Sequence, residues 1–363
     1  MRKNRPKNIL VINPFGIGDV LFSTPAVEAL RRNFPDAYIA YICNIRTKEL
    51  LETNPFIDEI FVFEKDEYRL LWKQSKKQFF RRFKDFLKMI RQKKFDLAVD
   101  YSMGHQYSLI LWFLGVKNRI GFNYKGRGRF LTRSLDFLGF DDKSIASYYL
   151  DVLRLIGIEA DGAGMMLETT KEDDAYIDEF LGSGGVKTGA NIVCIAPGGG
   201  VSFGKDKMNF KRWPIVEFAQ LSDKIIDELQ STVIFVLGPK EEGLIKDITS
   251  KMHNVPVIAP KTTVRQMASL MRRCKVCVCN DAGPLHVAVS QGCSTVSIFG
   301  PSDARSYGPY PLNEKHKIVT STIKCRPCYK RFKLPDCSHR SCLESVSVDN
   351  VFMAVKKQLA VKE

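Results

Sequence analysis

No run in the 363 residues approaches the 18 or more apolar residues of a membrane-spanning helix; Tyr107 to Val116 is the longest candidate and is too short. A secretory signal core is also missing. Behind the basic start Met1-Arg-Lys-Asn-Arg-Pro-Lys7, the apolar run Ile9 to Ile12 stops at Asn13-Pro14. Both absences point to a cytoplasmic protein, whose ten cysteines are then expected mostly as reduced thiols. Short-period repeats and low-complexity segments are absent. With 45% hydrophobic and 26% charged residues, wholesale disorder is excluded. Acidic residues are in deficit, 40 against 55 Lys and Arg, which gives a net charge of +15. Such a charge without an anchor implies an anionic partner: nucleic acid, a membrane surface or a phosphorylated substrate. The length suggests about two domains, large enough to fold without disulfides or metals.

What is present is a β-α-β alternation, the mark of parallel sheets covered by helices. Apolar runs at Asn8–Asn13, Ala37–Cys43, Glu59–Phe63 and Asp96–Asp100 read as strands, with a helix over Val20 to Asn33. Between Asp161 and Ala190 the pattern weakens around Gly162, Gly164, Gly182, Gly184 and Gly185, which flank an acidic helix from Lys171 to Leu181. This is the expected domain junction. A second series follows at Ile192–Ala196, Thr232–Leu237, Val255–Ile258, Val276–Cys279 and Thr295–Phe299, with Pro256 marking an edge strand. The expected domains are residues 1–165 and 186–345, followed by a C-terminal helix in 346–363 that packs back towards the first.

In parallel sheets, ligands bind beyond the carboxyl ends of the strands. Gly16-Ile-Gly18 lacks the third glycine of a dinucleotide fingerprint, since Leu21 stands there, and Asn44 replaces the ribose-binding acid after the second strand. A nicotinamide site is therefore disfavoured. Asp19 lies where a strand ends and a helix begins. It is either an N-cap or an ionised base at the ligand end of the sheet. Asp281 and His286 lie near a second helix start, either as an N-cap and a half-buried histidine or as part of a site where free N–H groups attract phosphate. Lys211, just before another helix, is either a solvated lysine or a phosphate ligand. Glu241 and Glu242 follow the turn after the Thr232 strand, as dipole-complementing acids or as acceptors for ribose hydroxyls.

Several motifs recur in fixed order: Gly16-x-Gly18-Asp19 with Pro25, Pro197-Gly-Gly, Lys211-Arg-Trp-Pro214, Gly238-Pro-Lys-Glu-Glu242, Asn280-Asp-Ala-Gly-Pro-Leu-His286, Phe299-Gly-Pro-Ser-Asp303 and Gly308-Pro-Tyr310. From Ile9 to about Val351 the chain resembles the glycosyltransferase family 9 heptosyltransferases, which build the inner core of lipopolysaccharide. The resemblance implies an α/β, GT-B architecture of two Rossmann-like parallel-sheet domains facing across a cleft. It implies inverting transfer of L-glycero-D-manno-heptose from ADP-heptose to a phosphorylated lipid A–core acceptor. Asp19 would be the catalytic base. Lys211, Glu242 (with Glu241 adjacent), Asp281, Ala282, Gly283 and His286 would bind the nucleotide-sugar. Relatives often have Thr or Ser where Ala282 stands, which leaves only its backbone N–H. Catalysis would need no metal.

Two features lie outside those motifs. From Lys73 to Lys94 ten cations accompany Phe79, Phe83, Phe86, Leu87 and Ile90 at helical spacing, with Phe80 beside the stripe. This reads as a helix packed on the sheet, whose basic face is either solvated or held on an anionic membrane surface. A second basic run includes Arg119, Lys125, Arg127, Arg129 and Arg133; with Gly18, the first four are expected acceptor contacts. The enzyme would then be peripheral on the inner face of the cytoplasmic membrane. Cys325-Arg-Pro-Cys328, Cys337 and Cys342, with His339 among them, have spacing for structural zinc, the alternative being free thiols. Cys274, Cys277 and Cys279 read as core. The alternatives are a family member with another donor or acceptor, or a basic nucleic-acid-binding protein. The latter is disfavoured because the charge sits in the acceptor half and no nucleic-acid motif occurs.

Overall fold

A computed structural model describes residues 5–160, 163–187, 189–198, 208–238, 241–337 and 339–361; Asp161, Gly162, Gly199, Gly200, Pro239 and Lys240 of the junction and turn motifs lie outside them. The chain divides into two units. Met1–Gly139 with Ile145–Ala163 forms the first, and Phe140–Ser144 with Gly164–Glu363 the second.

The first unit runs β1 (Asn8–Ile12), α1 (Ile17–Asn33), β2 (Tyr38–Cys43), α2 (Ile45–Lys48), β3 (Glu59–Val62), α3 (Lys65–Gln74), α4 (Lys76–Gln92), β4 (Leu97–Asp100), α5 (Gln106–Phe113), β5 (Asn118–Tyr124), β6 (Arg133–Phe137) and α6 (Ile145–Arg154). Its sheet is parallel throughout, in the order β3-β2-β1-β4-β5-β6. Ile9 to Ile12 are buried because helices cover both faces. On one face Leu10, Ile12, Ala40, Ile42 and Ala98 meet Phe86 and Ile90 of α4 and Tyr107 and Leu111 of α5. On the other, α1 packs with α6. Pro25 inside α1 cannot donate to the carbonyl one turn back; the Thr24 hydroxyl takes the Leu21 carbonyl at 2.7 Å instead.

The second unit runs α7 (Lys171–Ser183), β7 (Ile192–Ala196), α8 (Ile215–Leu229), β8 (Thr232–Phe235), α9 (Glu242–Thr249), β9 (Val257–Ile258), α10 (Val264–Arg272), β10 (Val276–Asn280), α11 (Gly283–Ser290), β11 (Ser294–Phe299), α12 (Ala304–Tyr307), β12 (His316–Thr320), α13 (Ser341–Glu344) and α14 (Val348–Leu359). A single 3-10 turn, Met208–Lys211, precedes α8. This sheet too is parallel, ordered β12-β11-β10-β7-β8-β9. Strand β9 is the edge, as Pro256 implied. In both sheets the order reverses once, at β1/β4 and at β7/β10, which are the switch points where such sheets bind ligands.

Three expectations change. The acidic helix is α7 and no linker: Arg265 meets Asp173 at 3.0 Å, Arg272 meets Asp174 at 2.6 Å and Arg273 meets Asp178 at 2.6 Å, so α7 packs on α10 and the main segment of the second unit runs from Gly164 rather than from 186. The terminal helix α14, expected against the first domain, buries Val351, Phe352, Ala354 and Val355 in the second unit's core, on α8, β10, β11 and β12. The basic stretch breaks at Ser75, whose side chain caps α4 by accepting from the Gln78 N–H; α3 and α4 form a hairpin. Among the described residues, no helix is long and apolar enough to cross a membrane.

Candidate active site

In the first unit the turn after β1 enters the switch point, and two buried asparagines fix it. Asn13 accepts from the Phe15 N–H at 3.2 Å and donates to the Asp19 carbonyl at 3.0 Å; Asn44 donates to the carbonyls of Pro14 and Phe15. Gly16 is the N-cap of α1 and makes no side-chain cap bond. Asp19 is therefore the third residue of the helix and not its cap, with its side chain half-buried. Beneath it, the Tyr41 phenol bonds the Ser23 hydroxyl at 2.6 Å. Burial, with the Asp19 charge adding to it, pushes Tyr41 and Tyr149 far up, so both stay protonated. Gly18 lies one residue before Asp19 in the same turn.

In the second unit the loop after β10 carries Asp281, buried against Lys211. The Lys211 ammonium is 2.7 Å from Asp281 Oδ2, and the Ser302 hydroxyl donates to the same oxygen. The Lys211 ammonium also lies over the rings of Tyr307 and Tyr329, at 5.4 and 5.6 Å. Ala282 is the N-cap of α11, with Pro284 in the first turn and no side-chain cap, so the first backbone N–H groups of this helix lack an intrahelical partner. That terminus, with an ammonium beside it, suits a diphosphate. His286 is buried; burial first, with Lys211 also contributing, pushes its imidazole down to about 4, so it is neutral at pH 7.

The two adjacent glutamates separate. Glu242 is the exposed first residue of α9, whereas Glu241 is buried in the turn after β8. Glu241 accepts from the Gly238 N–H at 2.8 Å and meets Arg212 at 3.2 Å. A side chain at Gly198 would run into its carboxylate, so the glycine there makes room for Glu241. Of the two glutamates, Glu241 is thus the one held inside the turn at the carboxyl end of β8, one residue before the Glu242 expected from sequence.

Asn280 was quoted in a motif without a role. Fully buried at the end of β10, it accepts from the Trp213 N–H at 3.0 Å and donates to the carbonyls of Pro197 and Gly198 at 2.8 and 3.1 Å. It thereby ties the loop after β7 to the Lys211 segment. A polar residue closing a Val-Cys-Val-Cys strand is the signal that would have found it.

The acceptor candidates also divide. Lys125, Arg127 and Arg129 are exposed, with their charges over the rings of Tyr124 and Phe130. Arg119 is buried, and its guanidinium donates to the carbonyls of Phe130 and Val116; it braces the β5–β6 connection and is not available to a ligand. The thiols of Cys325, Cys328, Cys337 and Cys342 lie near enough for their charges to affect one another. Among the described residues, no group of three or more His, Cys, Asp or Glu side chains is placed to hold a metal ion. Cys274, Cys277 and Cys279 are core residues, as expected.

The profile of glycosyltransferase family 9 (heptosyltransferase) matches residues 83–339. Lipooligosaccharide heptosyltransferase 2 of Campylobacter jejuni is 24% identical over 355 residues, covering 96% of this chain and 98% of that one. Among solved structures, a family 9 glycosyl transferase from Veillonella parvula superposes with a TM-score of 0.80 at 23% identity, over 97% of each chain. The Escherichia coli ADP-heptose lipopolysaccharide heptosyltransferase II gives 0.74 at 20% identity, over 97% of this chain and 98% of that one.

Proposed function

Since the chain belongs to glycosyltransferase family 9 and has the two Rossmann-like α/β units of the GT-B fold, we propose that it transfers L-glycero-D-manno-heptose from ADP-heptose to the inner core of lipopolysaccharide, with inversion at the anomeric carbon. Asp19 takes the proton of an acceptor hydroxyl as that oxygen bonds to the anomeric carbon, and the bond from that carbon to the diphosphate breaks. Lys211 and the first N–H groups of α11 hold the departing diphosphate. Asp281 keeps Lys211 in place, and the neutral His286 stands by to hydrogen-bond the nucleotide-sugar. Glu241 accepts from the ribose hydroxyls. Lys125, Arg127 and Arg129 meet phosphates of the acceptor, and Gly18 leaves room for it beside the base. The acceptor is lipid-linked, so the enzyme works at the inner face of the cytoplasmic membrane.

The observation that carries this reading is positional: each sheet has its motif at its own switch point, Asp19 after β1 and the α11 terminus after β10. Incubation with ADP-heptose and heptose-free or mono-heptosylated core acceptors, read by mass spectrometry, tests it. One heptose added to an acceptor, with ADP released only when acceptor is present, is the expected result. ADP released equally without acceptor, or another nucleotide-sugar used in preference, would sink the reading.

A further inference from the structure

The α3–α4 hairpin of the first unit takes no part in the chemistry above, yet it displays a distinct surface. At 100° per residue, Lys77, Phe80, Arg81, Lys84, Lys88 and Arg91 share one face of α4. That face is opposite the stripe of Phe79, Phe83, Phe86 and Ile90, of which Phe86 and Ile90 are buried in the sheet-side core. Phe80 is 58% exposed in the middle of the cations, and Trp72 near the end of α3 is 46% exposed. Their rings lie 5.8 Å apart, both beside Phe79, with the Lys76 ammonium 5.5 Å from the Trp72 ring. A shallow groove of about 600 Å³ is lined by Ser75, Lys77, Gln78, Phe80, Arg81 and Lys84. Two cations of the hairpin are paired, Arg82 with Glu67 and Arg69 with Asp66. Lys77, Arg81 and Lys84 have no ion-pair partner among the described residues.

We propose that this hairpin docks the enzyme on an anionic lipid surface: Trp72 and Phe80 enter the headgroup–acyl boundary, and Lys77, Arg81 and Lys84 hold headgroup phosphates in the groove. Charge complementarity selects the occupant. Three unpaired cations around an exposed aromatic need an anionic layer with apolar material beneath it, whereas a nucleic-acid backbone would satisfy the cations alone. The face opposite is committed to the core, so the hairpin can bind lipid without unfolding. The proposal rests on the preceding reading only in that a lipid-linked acceptor gives the surface its use.

Flotation of the full chain with phosphatidylcholine vesicles, with or without 30% phosphatidylglycerol (about that fraction suffices), tests it. Binding should require the anionic lipid and weaken with salt. K77Q/R81Q/K84Q should lose about 100-fold in partitioning, and W72S/F80S about 10-fold, both with unchanged circular dichroism. Equal binding to neutral and anionic vesicles overturns the proposal. So does wild-type partitioning of the charge variant, or tight binding to a single-stranded RNA oligomer with none to vesicles. Transfer to a deacylated, soluble acceptor should be unchanged in both variants. If no variant and no wild type transfers, the transferase reading fails, while the vesicle result still decides this one.

Discussion

At the scale of single residues, what was legible depended on how many positions a role could occupy. Asp19 stands out in the sequence because a strand end, two glycines and a helix start leave one carboxylate at that turn. Its alternative, an N-cap, is removed by Gly16 holding the cap position. Asp19→Asn preserves shape and would remove the proposed base, so turnover should fall about 100-fold or more while ADP-sugar binding, measured by calorimetry, changes little. Near-normal turnover would leave Asp19 a mere first-turn acid. The neighbouring glutamates could not be told apart in sequence, because a helix start is uncertain by a residue or two and burial turns on that register. Glu241→Ala should raise the donor KM about tenfold or more, the loss of a charge-assisted bond, whereas Glu242→Ala should stay within about twofold. The reverse pattern would restore the original assignment. Arg119 illustrates the opposite error. A basic residue in a basic run looks available, and only the backbone carbonyls folded around it show otherwise.

At the scale of elements, the buried strands were readable as unbroken apolar runs. The missed ones were β5, β6 and β12, whose charged residues, Arg119, Arg133, Asp136 and Lys317, hide the pattern. Of the five residues of β6, only Phe137 is buried, as suits the sheet edge it occupies. The partner of a helix is harder still, since an apolar stripe states that something covers it but not what. The α14 helix shows this. Its four buried side chains are worth about 7 kcal/mol, comparable to the net stability of a domain. Deleting everything after Val346 should therefore cost the second unit its cooperative fold while the first unit persists, as followed by hydrogen exchange. An unchanged second unit would mean that α14 is dispensable.

At the scale of the whole molecule, the division into two parallel sheets followed from the repeated alternation, while the exact boundary depended on ion pairs between α7 and α10 that no local pattern encodes. The two units should also differ in their response to acid. In the second, burial pushes His286 and His316 down to about 4 from an ordinary value near 6.5. The unfolded chain binds their protons first, so their stabilisation is present above pH 6.5 and is lost as pH falls from 6.5 through 4. In the first, Asp100 ends β4 with one buried oxygen unpartnered, and burial raises its carboxyl to about 6. There the folded state holds the proton, so stability rises as pH falls from 6 towards 3.8. Between pH 6 and 4 the units should show opposite slopes in unit-resolved hydrogen exchange. Parallel slopes would mean that other groups dominate.

The ten thiols divide six to four. Cys43, Cys194, Cys274, Cys277, Cys279 and Cys293 are sealed in the two cores, whereas Cys325, Cys328, Cys337 and Cys342 are accessible to some degree. All four lie in one stretch of the second unit, and the Cys328 and Tyr329 N–H groups both bond the Pro301 carbonyl, one residue from the Ser302 that holds Asp281. The wild-type chain thus carries its own attachment point for an alkylating fluorophore, beside the loop that would hold the diphosphate. A label confined to Cys328 would report on that loop without any cysteine having to be engineered in, once Cys325, Cys337 and Cys342 are replaced.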